Sequence, residues 1–254
     1  MPSDLLRNYI FWRASHNLED DNLLYKNYWA QIDNHFWKKE EKQGRLKRPR
    51  IDLFMQHFLQ LKRTREINTG RMYQEYKNWI NEAQPYASIE DELLDLTDNA
   101  KMFKEFIEPS TDKDFFNNFY LSLKILDVTT IYPLLLFIMG NKNFKEENKK
   151  EIINDLESFL IRRLICEKTT KNYNNLFMQI LRELKKEETP IALKKFLSKL
   201  DGDASEWPND NAFENAWLTK ASYNLMNANK INYILKKIEH NSGNEKNEKI
   251  TIHL

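Results

Sequence analysis

Apolar side chains recur along this chain with the 3.6-residue period of an amphipathic helix nearly from end to end. Leu5, Tyr9 and Trp12 fall at i, i+4 and i+7 behind Ser3, which the sequence places as an N-cap. Tyr25, Trp29, Ile32 and Phe36 form an aromatic stripe of the same spacing, and Ile51, Phe54, Phe58 and Leu61 form another, opened by Pro49. Tyr73, Tyr76 and Ile80 follow. Leu93, Leu96, Ala100, Phe103 and Ile107 make the cleanest stripe, closed by Pro109, which cannot continue a helix. Further helices are predicted over 114–126, 130–139, 147–166, 173–187, 190–200, 209–219 and 223–239. No segment alternates apolar and polar residues at period two. The expected fold is therefore all-α, a multi-helix bundle of roughly ten to twelve helices with no significant sheet.

Punctuation suggests three regions. The Pro85–Ser88 turn and the acidic stretch IEDELLDL separate N-terminal helices with a basic segment (1–84) from a main helical body (85–240). Residues 241–254, HNSGNEKNEKITIHL from His240 onward, read as a polar linker ending in a short β-branched run toward a further domain. No fixed-period repeat stands out.

Composition narrows the function classes. Five glycines in 254 residues are few for phosphate loops or nucleotide-binding sheets. The formal net charge of +1 points to neither nucleic acid nor membrane as a partner of the whole molecule. The one cysteine, Cys166, cannot form an internal disulfide and fits a reducing compartment. The longest apolar run, Ile131–Met139, is far shorter than the ~20 residues that cross a bilayer, and the N-terminus lacks the pattern of a secretory signal. The expectation is a cytoplasmic protein with no membrane partner.

Charge is concentrated between Lys38 and Arg71. Lys38, Lys39, Lys42, Arg45, Lys47, Arg48, Arg50, Lys62, Arg63, Arg65 and Arg71 stand against Glu40, Glu41, Asp52 and Glu66, an excess of seven positive charges. Such a run is either a solvated loop between helices or a phosphate-binding footprint. Lys47, Arg48, Arg50, Lys62, Arg63 and Arg65 are the candidates for nucleic-acid contact, with DNA or RNA. His16, His35, His57, His240 and His253 show no i, i+4 pair of the kind a helical metal site uses, and Cys166 sits in an apolar helix as a structural thiol. No catalytic set, metal site or cofactor site emerges.

Two adjacent arginines interrupt the apolar stretch LESFLIRRLIC. At about 100° per residue, Arg163 falls on the face of Leu156, Phe159, Leu160 and Leu164, whereas Arg162 lies on the flank near Asp155. Arg163 is expected as a structural buried charge, paired with a carboxylate from another helix, with a ligand phosphate as the alternative.

Several segments, in order, resemble a known helical region: DLLRNYIF at Asp4–Phe11, NYW at Asn27–Trp29, FMQHFLQLK at Phe54–Lys62 and YPLLL at Tyr132–Leu136. LESFLIRRLIC at Leu156–Cys166, NNLF at Asn174–Phe177 and WPND at Trp207–Asp210, with Phe213 after it, continue the match. The region is the helical middle of proteins related to the GmrSD type IV, modification-dependent restriction endonucleases. In that family it lies between an N-terminal ParB-like domain, implied to hydrolyse nucleotide, and a C-terminal HNH-type nuclease. The Asp-Gly-Gln-Gln-Arg type motif of the former is not in this sequence. Thr251-Ile252-His253-Leu254 stands where the nuclease motif Thr-Ile-Glu-His-Ile-x-Pro would begin, without its glutamate or proline.

The resemblance implies a non-catalytic linker or scaffold of a phage-defence protein. It would couple the nucleotide-hydrolysing domain to the nuclease, with the Lys38–Arg71 segment as its DNA contact and the Asp4–Trp12 helix docking the upstream domain. The alternative reading is a stand-alone helical protein–protein interaction scaffold.

Overall fold

The computed structural model describes residues 1–43, 46–110, 114–219 and 226–243. They form an all-α, multi-helix bundle with thirteen helices and one two-stranded hairpin among the described residues. The chain divides into two compact units, Met1–Glu108 with Ile131–Asn141, and Pro109–Thr130 with Lys142–Leu254.

The first unit holds α1 (Pro2–His16), α2 (Asp21–Asn27), α3 (His35–Lys38), strands β1 (Glu40–Gln43) and β2 (Leu46–Pro49), α4 (Arg50–Arg63), α5 (Met72–Ala83), α6 (Ile89–Ile107) and α8 (Tyr132–Gly140). The short helix α8 is apolar on every side because it is packed against both α4 and α6. Its Leu134, Leu135, Leu136 and Ile138 are buried, as are Phe54, Phe58 and Leu59 of α4 and Phe103 of α6. Trp37, Phe54, Phe103 and Tyr132 touch ring to ring with centroids 5.4–6.3 Å apart, so one aromatic cluster ties α3, α4, α6 and α8 together. The Pro85–Ser88 turn leads into α6, where the Ser88 hydroxyl accepts the Asp91 N–H at 3.0 Å as an N-cap.

The second unit holds α7 (Phe115–Leu126), α9 (Glu146–Ile165), α10 (Tyr173–Lys186), α11 (Pro190–Leu197), α12 (Asp210–Thr219) and α13 (Ala228–Gly243). Its centre is α9, which packs against α7, α11 and α12. Ile152, Ile153, Leu156, Phe159 and Leu160 supply the buried stripe of α9. At its C-terminal end Ile161, Ile165 and Cys166 close on Phe213, Ala216, Met226 and Ile234. Asp114 and Thr189 cap α7 and α11 through side-chain oxygens on Asn117 N–H and Ala192 N–H.

Three local expectations are corrected. Met1, not Ser3, stands at the N-cap of α1; Pro2 occupies the first helical position and Ser3 is buried inside the first turn, its N–H donating to Asp52 Oδ1 at 3.0 Å. The Tyr25–Phe36 stripe is not one helix. It is broken into α2, a single 3₁₀ turn at Trp29–Gln31, and α3, because Asn34 in extended conformation caps the Phe36 N–H and starts a new helix there. The basic segment forms a hairpin, β1 pairing antiparallel with β2 in the register Glu41 to Arg48; its strands EEKQ and LKRP carry no apolar alternation that the sequence could display. Arg45, His253 and the tail from 244 lie outside the described residues.

With so few glycines, the chain enters the left-handed region on other residues. Leu18, Thr64, Gln84, Asp127 and Glu167 all have φ between 42° and 61°, and each follows a helix.

Candidate nucleic-acid interface and the buried arginines

The six basic candidates sit at the two ends of α4, separated by its length of about 18 Å from Arg50 to Lys62. At the N-terminal end, Lys47 is exposed on β2. Arg48 is half-buried and turned inward, its Nη1 donating to Gln56 Oε1 at 3.2 Å and to Thr69 Oγ1. Arg50 is buried. It donates through Nε and Nη2 to Glu41 Oε1 at 2.8 and 2.6 Å, reaches Glu108 Oε1 at 2.7 Å, and lies over the Phe36 ring at 4.2 Å. A cation at a helix N-terminus opposes the helix dipole, and these two carboxylates offset it.

At the C-terminal end, where the dipole favours cations, Lys62 pairs with Asp95 at 2.5 Å, Arg63 with Glu82 at 3.3 Å and Arg65 with Glu75 at 2.5 Å. The structure therefore gathers the six into two clusters, and five of them make polar contacts within the chain. Lys47 and Arg65, with a side chain 48% exposed, are the members best placed to meet an external phosphate.

Arg163 is fully buried. Its Nη1 donates to Glu206 O at 2.7 Å, and its Nη2 donates to Thr169 O at 2.6 Å and Asp203 O at 3.2 Å. The Phe159 and Tyr173 rings lie 5.3 and 5.4 Å from its Cζ. The acceptors are main-chain carbonyls of two loops, where a carboxylate on another helix was expected. A loop that turns its carbonyls inward needs donors, and one planar guanidinium supplies several in a fixed fork.

Arg162 leaves Asp155 aside, reaching Pro208 O at 3.1 Å and Asp210 Oδ1 at 2.5 Å, which fixes the loop that enters α12. Asp155 instead faces Lys194, 3.8 Å away, and its Oδ2 is buried without a hydrogen bond. Burial first, then Glu151, pushes its carboxyl up to about 6 against the pull of Lys194.

A second buried charge set went unnoticed in the sequence. Glu92 is 1% exposed and receives Arg13 Nη2 on both oxygens at 2.5 Å, together with the Tyr76 hydroxyl. The signal was present, since Glu92 lies on the same helical face as Leu96 and Phe103. Burial beside this carboxylate raises the Tyr76 hydroxyl well above its ordinary range and keeps it a donor. His57, also buried, touches Gln60 Oε1 at 3.0 Å and the edges of aromatic rings; burial lowers it to about 4, so it is neutral at pH 7. Cys166 is buried against Ala212 O.

Among the described residues no group of three His, Cys, Asp or Glu side chains is placed to hold a metal ion, and no helix is long and apolar enough to cross a membrane. Comparison with protein-family models, with curated proteins and with solved structures finds no match for this chain.

Proposed function

We propose that this chain is the non-catalytic helical framework of a GmrSD-like DNA restriction protein, coupling a nucleotide-hydrolysing domain to a nuclease. The observation that carries the reading is where the resembling segments fall. FMQHFLQLK is most of α4, YPLLL opens α8, LESFLIRRLIC ends α9, and WPND is the loop that Arg162 fixes through Pro208 and Asp210. These four segments thus lie on core helices and their anchors, as expected of a part that transmits position and does no chemistry.

DNA contact belongs to the same proposal, through Lys47 and Arg65 first. The Arg65 and Arg63 pairs are partly exposed ion pairs worth only about 0–1 kcal/mol, so a phosphate can replace the carboxylates at little cost.

Two measurements test this. An immunoblot of native cells with an antibody to this chain is expected to show a band far heavier than its 30.7 kDa; a band at that mass removes the framework role. Duplex binding followed by fluorescence anisotropy across a salt series is expected to weaken in Lys47→Glu and Arg65→Glu, with a shallower salt slope. Binding unchanged in both variants removes the basic segment from the interface. Arg50 is unsuitable for charge reversal, because its burial between Glu41 and Glu108 makes such a variant a folding test.

A further inference from the structure

Helix α1 carries two apolar faces. Leu6, Ile10 and Ala14 are buried in the first unit. On the other side Met1, Leu5 and Trp12 fall within about 40° of one another at 100° per residue, and they are 54%, 53% and 55% exposed. A surface helix in a folded unit needs one apolar stripe; among the described residues none buries the second. Leu5, Asn8, Tyr9 and Trp12 of α1 and Tyr73 and Lys77 of α5 line a groove of about 310 Å³. The rings are held in place: Tyr9 lies against Trp12 at 6.1 Å and edge-on to Tyr73 at 6.0 Å, and the Tyr9 hydroxyl donates to Asn81 at 3.0 Å.

We propose that this groove docks an acidic amphipathic helix of a partner protein, which lays aliphatic side chains along the exposed Leu5 and Trp12, over the buried Tyr9, and sets a carboxylate on Lys77. Two features choose the occupant. The stripe from Met1 to Trp12 runs about 16 Å, three helical turns, which suits a helix with anchors at i, i+4, i+7 and i+11 and exceeds a small molecule. Among the described residues the only charge lining the groove is Lys77, whose ammonium lies 5.9 Å from the Tyr9 ring and makes no salt bridge with any of them. An acidic flank complements it. A second copy of α1 docked two-fold on this face would instead bring one Lys77 toward another, a like-charge contact that disfavours self-association. The proposal gives the exposed face of α1 an occupant other than the upstream domain that the resemblance implies there; it is independent of the DNA reading and its test contains no nucleic acid, so each can fail alone.

The probe is a fluorescein-labelled synthetic helix of about three to four turns with leucines at those four positions and glutamates on the flanks, compared with a twin carrying lysine for every glutamate. Anisotropy is expected to show micromolar binding of the acidic helix, at least tenfold tighter than its twin. Trp12→Ala is expected to weaken it tenfold or more, and Lys77→Glu to invert the preference so that the basic twin binds better. Trp12 is half exposed, so its variant tests contact and not folding; circular dichroism confirms this. Equal binding of the two helices, no binding of either, or indifference to both substitutions overturns the proposal. So does concentration-dependent dimerisation of the unaltered chain in sedimentation that Trp12→Ala abolishes, since the face would then belong to a second copy.

Discussion

Removing the Arg163 guanidinium should loosen the loop that it holds more than any nearby carboxylate change can. In Arg163→Ala three carbonyl acceptors, on Thr169, Asp203 and Glu206, lose their donor together. Hydrogen bonds to a charged donor contribute about 1.5–3 kcal/mol each when buried, but these carbonyls lie in half-exposed loops that water can reach, so about 1 kcal/mol each is the fairer figure. The two ring contacts to Phe159 and Tyr173 add about 1 kcal/mol together. The sum is about 4 kcal/mol, within the roughly 3–5 kcal/mol expected on breaking a buried charged arrangement.

For a unit of this size that corresponds to a fall in Tm of roughly 8–16 °C, read by circular dichroism, with faster amide exchange in the 200–208 loop. Arg163→Lys keeps the charge but not the fork and should lose about half as much. The control is Asp203→Asn with Glu206→Gln. Those side chains pair with Lys168 at 3.1 and 2.5 Å on the surface, so the double variant should cost about 1 kcal/mol or less. An Arg163→Ala protein melting within about 2 °C of the parent, or a double variant as damaged as Arg163→Ala, would refute the carbonyl-cage reasoning.

The remaining predictions concern titration and backbone strain. His57 is lowered to about 4 by burial, so its contribution is present above pH 6.5 and is lost as pH falls through 4; that loss is worth about 3 kcal/mol. His57→Phe should therefore gain Tm relative to the parent between pH 7 and pH 4, and an unchanged difference would contradict the burial argument. Asp155 has the opposite sign: raised to about 6, it favours the fold below about pH 4 and loses that contribution as pH rises through 6. Asp155→Asn should thus gain on the parent from pH 4 to pH 7 and hold level above, as thermal melts across that range would show. Leu18, 94% exposed at φ 60°, has a left-handed backbone and almost no packing to lose. Leu18→Gly should stabilise by about 0.5–1 kcal/mol in urea titrations, the steric relief exceeding the added chain entropy; a loss of stability would show that its side chain packs after all.

The residues whose placement sequence could foresee are those whose partners are neighbours on the same helix. The stripe Leu93, Leu96, Ala100, Phe103 became α6, and the LESFLIRRLIC pattern put Arg163 inside, because 100° per residue is all that either inference needs. What failed to show was set by single local caps or by distant segments. The Tyr25–Phe36 spacing is helical, yet the Asn34 cap breaks it, and a single capping side chain outweighs periodicity over so few turns. The excess of seven positive charges in 38–71 is a true count, but Asp95, Glu82, Glu75 and Glu108 come from later in the chain and meet Lys62, Arg63, Arg65 and Arg50 in space. The window holds Glu41, which meets Arg50, but these four carboxylates lie outside it.

The same limit explains Arg163 and Glu92. Each is a charge on an apolar face, and that anomaly reliably signals a polar partner, since an unpaired buried charge would cost several kcal/mol. It does not name the partner. For Glu92 the partner is an arginine and a tyrosine from two other helices; for Arg163 it is backbone, which has no letter in the sequence. The exposed stripe on α1 inverts the case: Met1, Leu5 and Trp12 obey the period that marks a core, and only the structure shows that the core side of α1 is the other one. Two apolar faces on one helix account for one fold and one unfilled contact, and that is why the partner experiment turns on Trp12 and Lys77 and not on the buried framework.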